Sequence, residues 1–231
     1  MCVRYTLHKL EQAVAAVARS LGYPLALPDT IQPRYNVTLT SVVPTVAIRD
    51  SGPDLRGMMW GLVPLPSETR PARGLLANAK SETVTKLPSF KAAAERRRCL
   101  IPANGFYEWR KEGAIKAPHL FMLRDEEPFA FAGIWEPAAK DLPETFCILT
   151  TDPNSIVATV HNRMPVILTG HMMPRWLGDQ PLPESELRAL TRPFPAERMT
   201  VRPVSRFVSN SRNEGPQCLA PPEEPEPELW S

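Results

Sequence analysis

Four residues carry side chains whose chemistry exceeds what packing requires. Cys2 is the second residue, and Cys is small enough for Met1 to be removed in front of it. Removal leaves a thiol and a free α-amine on one residue, with reference pKa values of about 8.5 and 7.7–8.0. An aldehyde condenses with such an amine to an imine, and the neighbouring thiol can close a five-membered thiazolidine ring. No other residue offers that pair; position alone favours a small hydrophobe that happens to be second. Glu108 lies in the segment RCLIPANGFYEWR (Arg98–Arg110), beside Phe106, Tyr107 and Trp109. Burial among aromatics raises a carboxylate's pKa into the range of a general acid/base, whereas a position at the rim makes it an ordinary partner for Arg. His161, in TTDPNSIVATVHNRMPVIL (Thr150–Leu168), can relay protons near neutrality, or serve structurally as most lone histidines do. Asn78 opens NAKSET (Asn78–Thr83), which mixes an amide, a cation, hydroxyls and a carboxylate and reads as a binding loop or a solvated turn.

Elements that must position these groups are short. Proline accounts for 27 of 231 residues, about 12% against a usual ~5%, which favours turns and edge strands over long helices. Leu10, Val14, Val17 and Leu21 recur at helical spacing with Gly22 as a stop. Further helices are expected over Ser89–Arg97 with Ser89 as N-cap, from Asp152–Pro153 toward His161, and over Glu184–Leu190. Extended runs are expected at Tyr35–Leu39, Val42–Arg49, Leu55–Val63, Leu100–Trp109, His119–Leu123, Phe129–Trp135 and Phe146–Thr150. Strands and helices do not alternate strictly, so the expected class is α+β with a mainly antiparallel, barrel-like core and short peripheral helices. One domain is expected over residues 2–220, followed by a Pro/Glu-rich tail at 221–231.

Charge is divided along the chain. The net of +2 includes a tail with Glu223, Glu224, Glu226 and Glu228, so residues 1–220 carry +6, with 20 Arg and 7 Lys. Arg forks suit phosphate, and a polyanionic partner fits this excess. No apolar run reaches the ~18–20 residues of a membrane span, and MCVRYTLHKL lacks a signal-peptide core; a cytoplasmic monomer without membrane contact is expected. Cys2, Cys99, Cys147 and Cys218 are too dispersed for a zinc site and read as free thiols.

The order of the motifs is more specific than any one of them. Cys2, WGLVP (Trp60–Pro64), NAKSET, IPANGFYEW (Ile101–Trp109), HNRMPVIL (His161–Leu168) and VSNSRNEGPQCL (Val208–Leu219) together resemble the SRAP family, the SOS-response-associated peptidases or abasic-site shielding proteins. The resemblance covers Cys2 to about Leu219. It implies a positively charged groove for single-stranded DNA and covalent capture of an abasic site as a thiazolidine. Cys2 is then the nucleophile, with Asn78, Glu108 and His161 completing the site. Arg4, Lys80 and Arg163 are expected at phosphates, and Trp60 and Trp109 along the groove. No metal or organic cofactor is required, and a weak lyase side reaction is expected. Val3 stands where the family usually has Gly, Lys80 where Arg is common, and Leu39 where Pro is frequent. Two other readings use the same residues: a thiol autopeptidase or cysteine peptidase built on Cys2, Glu108 and His161, and a non-catalytic nucleic-acid-binding module.

Overall fold

A computed structural model describes residues 2–64, 74–113, 115–139 and 142–223; the acidic positions Glu224, Glu226 and Glu228 of the expected tail lie outside them. The chain runs β1 (Tyr5–Leu7), α1 (Leu10–Leu21), β2 (Arg34–Val37), β3 (Val42–Arg49), β4 (Gly52–Trp60), β5 (Asn78–Lys80), α2 (Lys91–Arg96), β6 (Arg98–Ala103) and β7 (Gly105–Glu112). It continues through β8 (Ile115–Leu123), β9 (Phe129–Glu136), β10 (Thr145–Thr151), β11 (Met164–Pro165), β12 (Ile167–Leu168), α3 (Met172–Trp176), α4 (Glu184–Leu190) and β13 (Met199–Pro203). The α+β class is as expected, mostly sheet with few and short helices.

Two sheets form. One has the order β13-β8-β7-β1-β2; the other runs β11-β10-β4-β3-β6-β9-β12, with β5 on β10. All pairings are antiparallel except those of β10 with β4 and β5. The second sheet curves so far that β9 also meets β10. It is barrel-like but not a closed barrel: β10 touches β4 over only two residue pairs before passing to β5. Both sheets bury apolar faces on one main core, which includes Tyr5, Trp60, Phe106, Phe121, Phe131 and Phe146. A smaller cluster behind the first sheet contains Tyr107, Leu120, Val208 and Cys218.

Local signals account for most boundaries. Gly22 ends α1 in the left-handed conformation (φ 62°), and its N–H reaches back into the last turn. The expected run Leu100–Trp109 is two strands, because Asn104 leaves the ladder: its N–H donates to Thr6 O and its Oδ1 accepts from Lys9 N. Gly105 follows for want of space, since a Cβ there would stand 2.7 Å from Phe121 O. Two helix expectations are corrected. The helix after Ser89 begins at Lys91 without a side-chain cap. The segment after Asp152–Pro153 forms only a 3-10 turn at Val157–Thr159, because Asn154 Oδ1, not Asp152, accepts from Val157 N. The latter turn matters because it sets His161.

Candidate active site

The N-terminal segment enters along the edge of β7. Tyr107 N donates to Arg4 O, so residues 2–4 extend the ladder beside the strand that carries Glu108. Alternation on β7 then sorts its side chains: Phe106 joins the main core and Tyr107 the smaller cluster, on which Trp109 packs. Glu108 follows Phe106 on the core-facing side and is only 3% exposed. Cys2 is fully buried (0%). Its carbonyl accepts from Asn78 Nδ2 at 2.9 Å, and Asn78 is delivered by β5, which β10 holds in parallel register. The structure thus brings Cys2, Asn78, Glu108 and His161 to one place from four separate parts of the sequence.

Electrostatics follow from that burial. Desolvation raises the Glu108 pKa from 4.5 to about 7, leaving it poised between its two protonation states at neutrality. Burial, and then the charge of Glu108, push the Cys2 thiol upward, so it rests as a neutral thiol. His161 is shifted down by partial burial. Its Nε2 lies 4.0 Å from Glu108 Oε2. The Arg163 backbone N–H donates to His161 Nδ1 at 3.1 Å, which places the neutral ring's proton on Nε2, facing the carboxylate. Arg163 O, 3.2 Å from the same Nδ1, accepts when the ring is charged.

A raised carboxylate also leaves a mark on stability. Folding lifts the Glu108 pKa above its unfolded value, so its unfavourable contribution is absent below about pH 4.5 and grows to about 3 kcal/mol as pH rises through 7. Glu108→Gln is therefore expected to melt at a higher temperature than the native chain above pH 7 and to converge with it below pH 4.5. Equal melting temperatures across pH 4–8.5 would contradict a buried, raised Glu108.

Beyond this cluster opens a cavity of about 990 Å³, lined by Val3, Arg4, Glu108, Trp109, His161 and Arg206, with Ser209 and Asn210 on its wall. Trp109 is fixed there: its indole N–H donates to Ser209 Oγ at 3.0 Å, and the Arg4 guanidinium stands 5.8 Å from its ring centroid. Arg4 donates to Asn36 Oδ1 (3.0 Å) and Val208 O (2.7 Å), so much of its hydrogen-bonding capacity is spent on the fold. Lys80 is exposed on β5 and outside the cavity lining. Arg163 has other partners than solvent: Glu82 Oε1 and Oε2 at 2.8 and 2.9 Å, Asp152 Oδ1 at 3.0 Å and Thr150 O at 2.7 Å. A phosphate there must compete with two carboxylates. The expectation for Trp60 is corrected: it is 0% exposed, stacks on Phe146, and donates Nε1–H to Ala77 O. It is a core residue that cannot stack a base.

Several residues here were missed from sequence. Asn36 is buried, and its Nδ2 donates to Val208 O, Asn210 O and Asn213 O at 3.3, 3.0 and 2.8 Å. Glu214 accepts from the backbone of Tyr35 and Asn36 and from Arg34 Nε. Together they tie the late motif to β2 as the cavity wall. A buried asparagine facing the VSNSRNEG segment was the available signal, but only the fold shows that they meet.

A cysteine at position 2 buried near a raised carboxylate, with a histidine and an open cavity beside them, defines the class of site. The sequence profile of the SOS response associated peptidase (SRAP) family matches residues 1–211, and the chain belongs to that family. Among its relatives, the abasic site processing protein YoqW of Bacillus subtilis (strain 168) is 32% identical over 225 residues, spanning 95% of this chain and 99% of its own. The abasic site processing protein HMCES of Gallus gallus is 34% identical over 194 residues, 72% of this chain and 57% of that protein. A crystal structure of a protein from Bacteroides thetaiotaomicron superposes with a TM-score of 0.76 at 27% identity, covering 95% of this chain and 99% of that one. Among the described residues, no helix is long and apolar enough to cross a membrane.

Proposed function

We propose that this protein captures abasic sites in single-stranded DNA by forming a thiazolidine on Cys2 once Met1 has been removed. The observation that carries this reading is the approach of the buried Glu108, with His161 4.0 Å from it, to the second residue of the chain. In the proposed sequence, Glu108 shuttles the proton that opens the closed sugar to its aldehyde. The Cys2 amine then adds to C1′ and water leaves, its oxygen protonated by the Glu108–His161 pair, giving an imine. Sγ adds to the same carbon while its proton passes to the nitrogen, closing the ring with no further leaving group. Asn78, holding the Cys2 carbonyl, fixes the direction of the amine.

The peptidase reading needs a thiolate, and burial beside Glu108 disfavours one; aminothiol condensation starts from the neutral thiol and so suits the site better. The single-stranded preference rests on the cavity, in which one aromatic plane and a cationic lining suit an unpaired strand. The direct test mixes the protein with single strands that carry or lack one abasic site and resolves the products on a denaturing gel. A heat-stable adduct only with the abasic strand is expected. Cleaved protein substrate and no adduct would favour the peptidase, and neither product would favour a binding module.

A further inference from the structure

Sequence reasoning assigned phosphate contacts to Arg4, Lys80 and Arg163, yet two of these guanidinium groups are largely occupied within the protein. Lys80 is exposed but outside the cavity, and the cations free to bind an anion within it are others. Lys111 and Lys116 are direct partners across the β7–β8 ladder, so their side chains leave the same face of the hairpin. Like charges in that position repel. Both are exposed and both line the cavity, and the exposed Arg206, from the turn Arg206–Ser209 that packs on β8, lines it as well. Among the described residues none of the three has a carboxylate partner, and Glu108, buried at the cavity floor, is the one acid in the lining. Three unneutralised cations from two separate elements thus converge on one volume that also holds the Trp109 ring.

We infer that Lys111, Lys116 and Arg206 form a phosphodiester subsite that grips the strand on one side of the lesion only. The inference rests on the DNA reading above and deepens it. Lys111 is three residues along β7 from Glu108, about 10 Å at ~3.3 Å per residue. At about 3.4 Å per stacked nucleotide that distance places the gripped phosphate within about three nucleotides of the captured sugar. Trp109, two residues before Lys111 and on the same face of β7, follows Glu108 directly in the chain and lines the same cavity, so that a base between lesion and subsite can stack on it. With the anchor on one side of the lesion only, one flank of the strand is held more firmly than the other.

The test compares the native protein with Lys111→Gln/Lys116→Gln and with Arg206→Gln. Binding of an undamaged fluorescent 12-nucleotide single strand is measured by anisotropy against salt. At ~0.7 per phosphate contact in single strands, the double variant is expected to lower the slope of log affinity against log salt by about 1.4, and Arg206→Gln by about 0.7. Lys111→Arg/Lys116→Arg should restore the slope. Adduct yield is then measured with abasic strands shortened to one nucleotide on either the 5′ or the 3′ side. Native and double-variant yields should converge when one flank is removed and stay apart when the other is removed. An unchanged salt slope, or equal sensitivity to both flanks, overturns the subsite. Should the native protein form no adduct at all, the capture reading fails, while the anisotropy slopes still decide whether the three cations bind the strand.

Discussion

Cys2→Ser is expected to abolish the heat-stable adduct while leaving binding of undamaged strands within about twofold of the native protein. Serine keeps the amine, so a reversible imine can still form, but a hydroxyl does not replace the sulfur that closes the ring. Burial makes the substitution a clean one: the side chain is enclosed, its Sγ lies 3.8 Å from Arg4 O, and a hydroxyl fits the same space. Keeping Met1 in place should be as damaging, because the amine is then an amide nitrogen without nucleophilicity. Adduct yield on a denaturing gel reads both. A native yield from Cys2→Ser would contradict the thiazolidine.

Glu108→Gln should slow adduct formation by about 10²–10⁴-fold, the usual worth of a positioned general acid/base, with little change in strand affinity. Glutamine keeps the shape and the hydrogen bonds but cannot deliver or receive the proton. In the native protein the rate should vary with pH through a step near 7, where burial has moved Glu108, and the step should be missing in the variant. Because the same burial costs stability above neutrality, this variant is also the one expected to melt higher at pH 8. Losing rate while gaining stability is the signature of a group held in a costly state for its chemistry. An unchanged rate and pH profile would shift proton transfer to His161 or to water.

The reacting groups were legible in the sequence because their types are rare and their positions unusual. A cysteine at position 2, a carboxylate between Phe106 and Trp109, and a histidine before Arg163 stand out from any packing pattern. Strand runs were legible for the same reason that α1 was, namely periodicity bounded by Pro and Gly. Burial was not. Trp60 ends a strand beside Gly61, a position that fits a groove as readily as a core, and only the neighbouring Phe146 and Ala77 decide. Arg163 looked free because Glu82 is 81 residues away in the chain. Asn36 meets its acceptors across 172 to 177 residues. The Asp152–Pro153 cap signal was genuine chemistry overridden by a competitor two residues later, Asn154. Local patterns fix types and elements; which charges stay free to meet a ligand depends on long-range contacts that no window of sequence contains.

The proposed adduct is defined by one bond set, nitrogen and sulfur of Cys2 on the same sugar carbon. Intact-mass measurement of the protein mixed with a single strand bearing one abasic site tests it most directly. The predicted product lacks Met1, weighs the sum of protein and strand less one water, and keeps that mass after borohydride treatment, since a thiazolidine offers no imine to reduce. A product that gains two hydrogens on reduction, retains Met1, or maps to a residue other than Cys2 would contradict the mechanism.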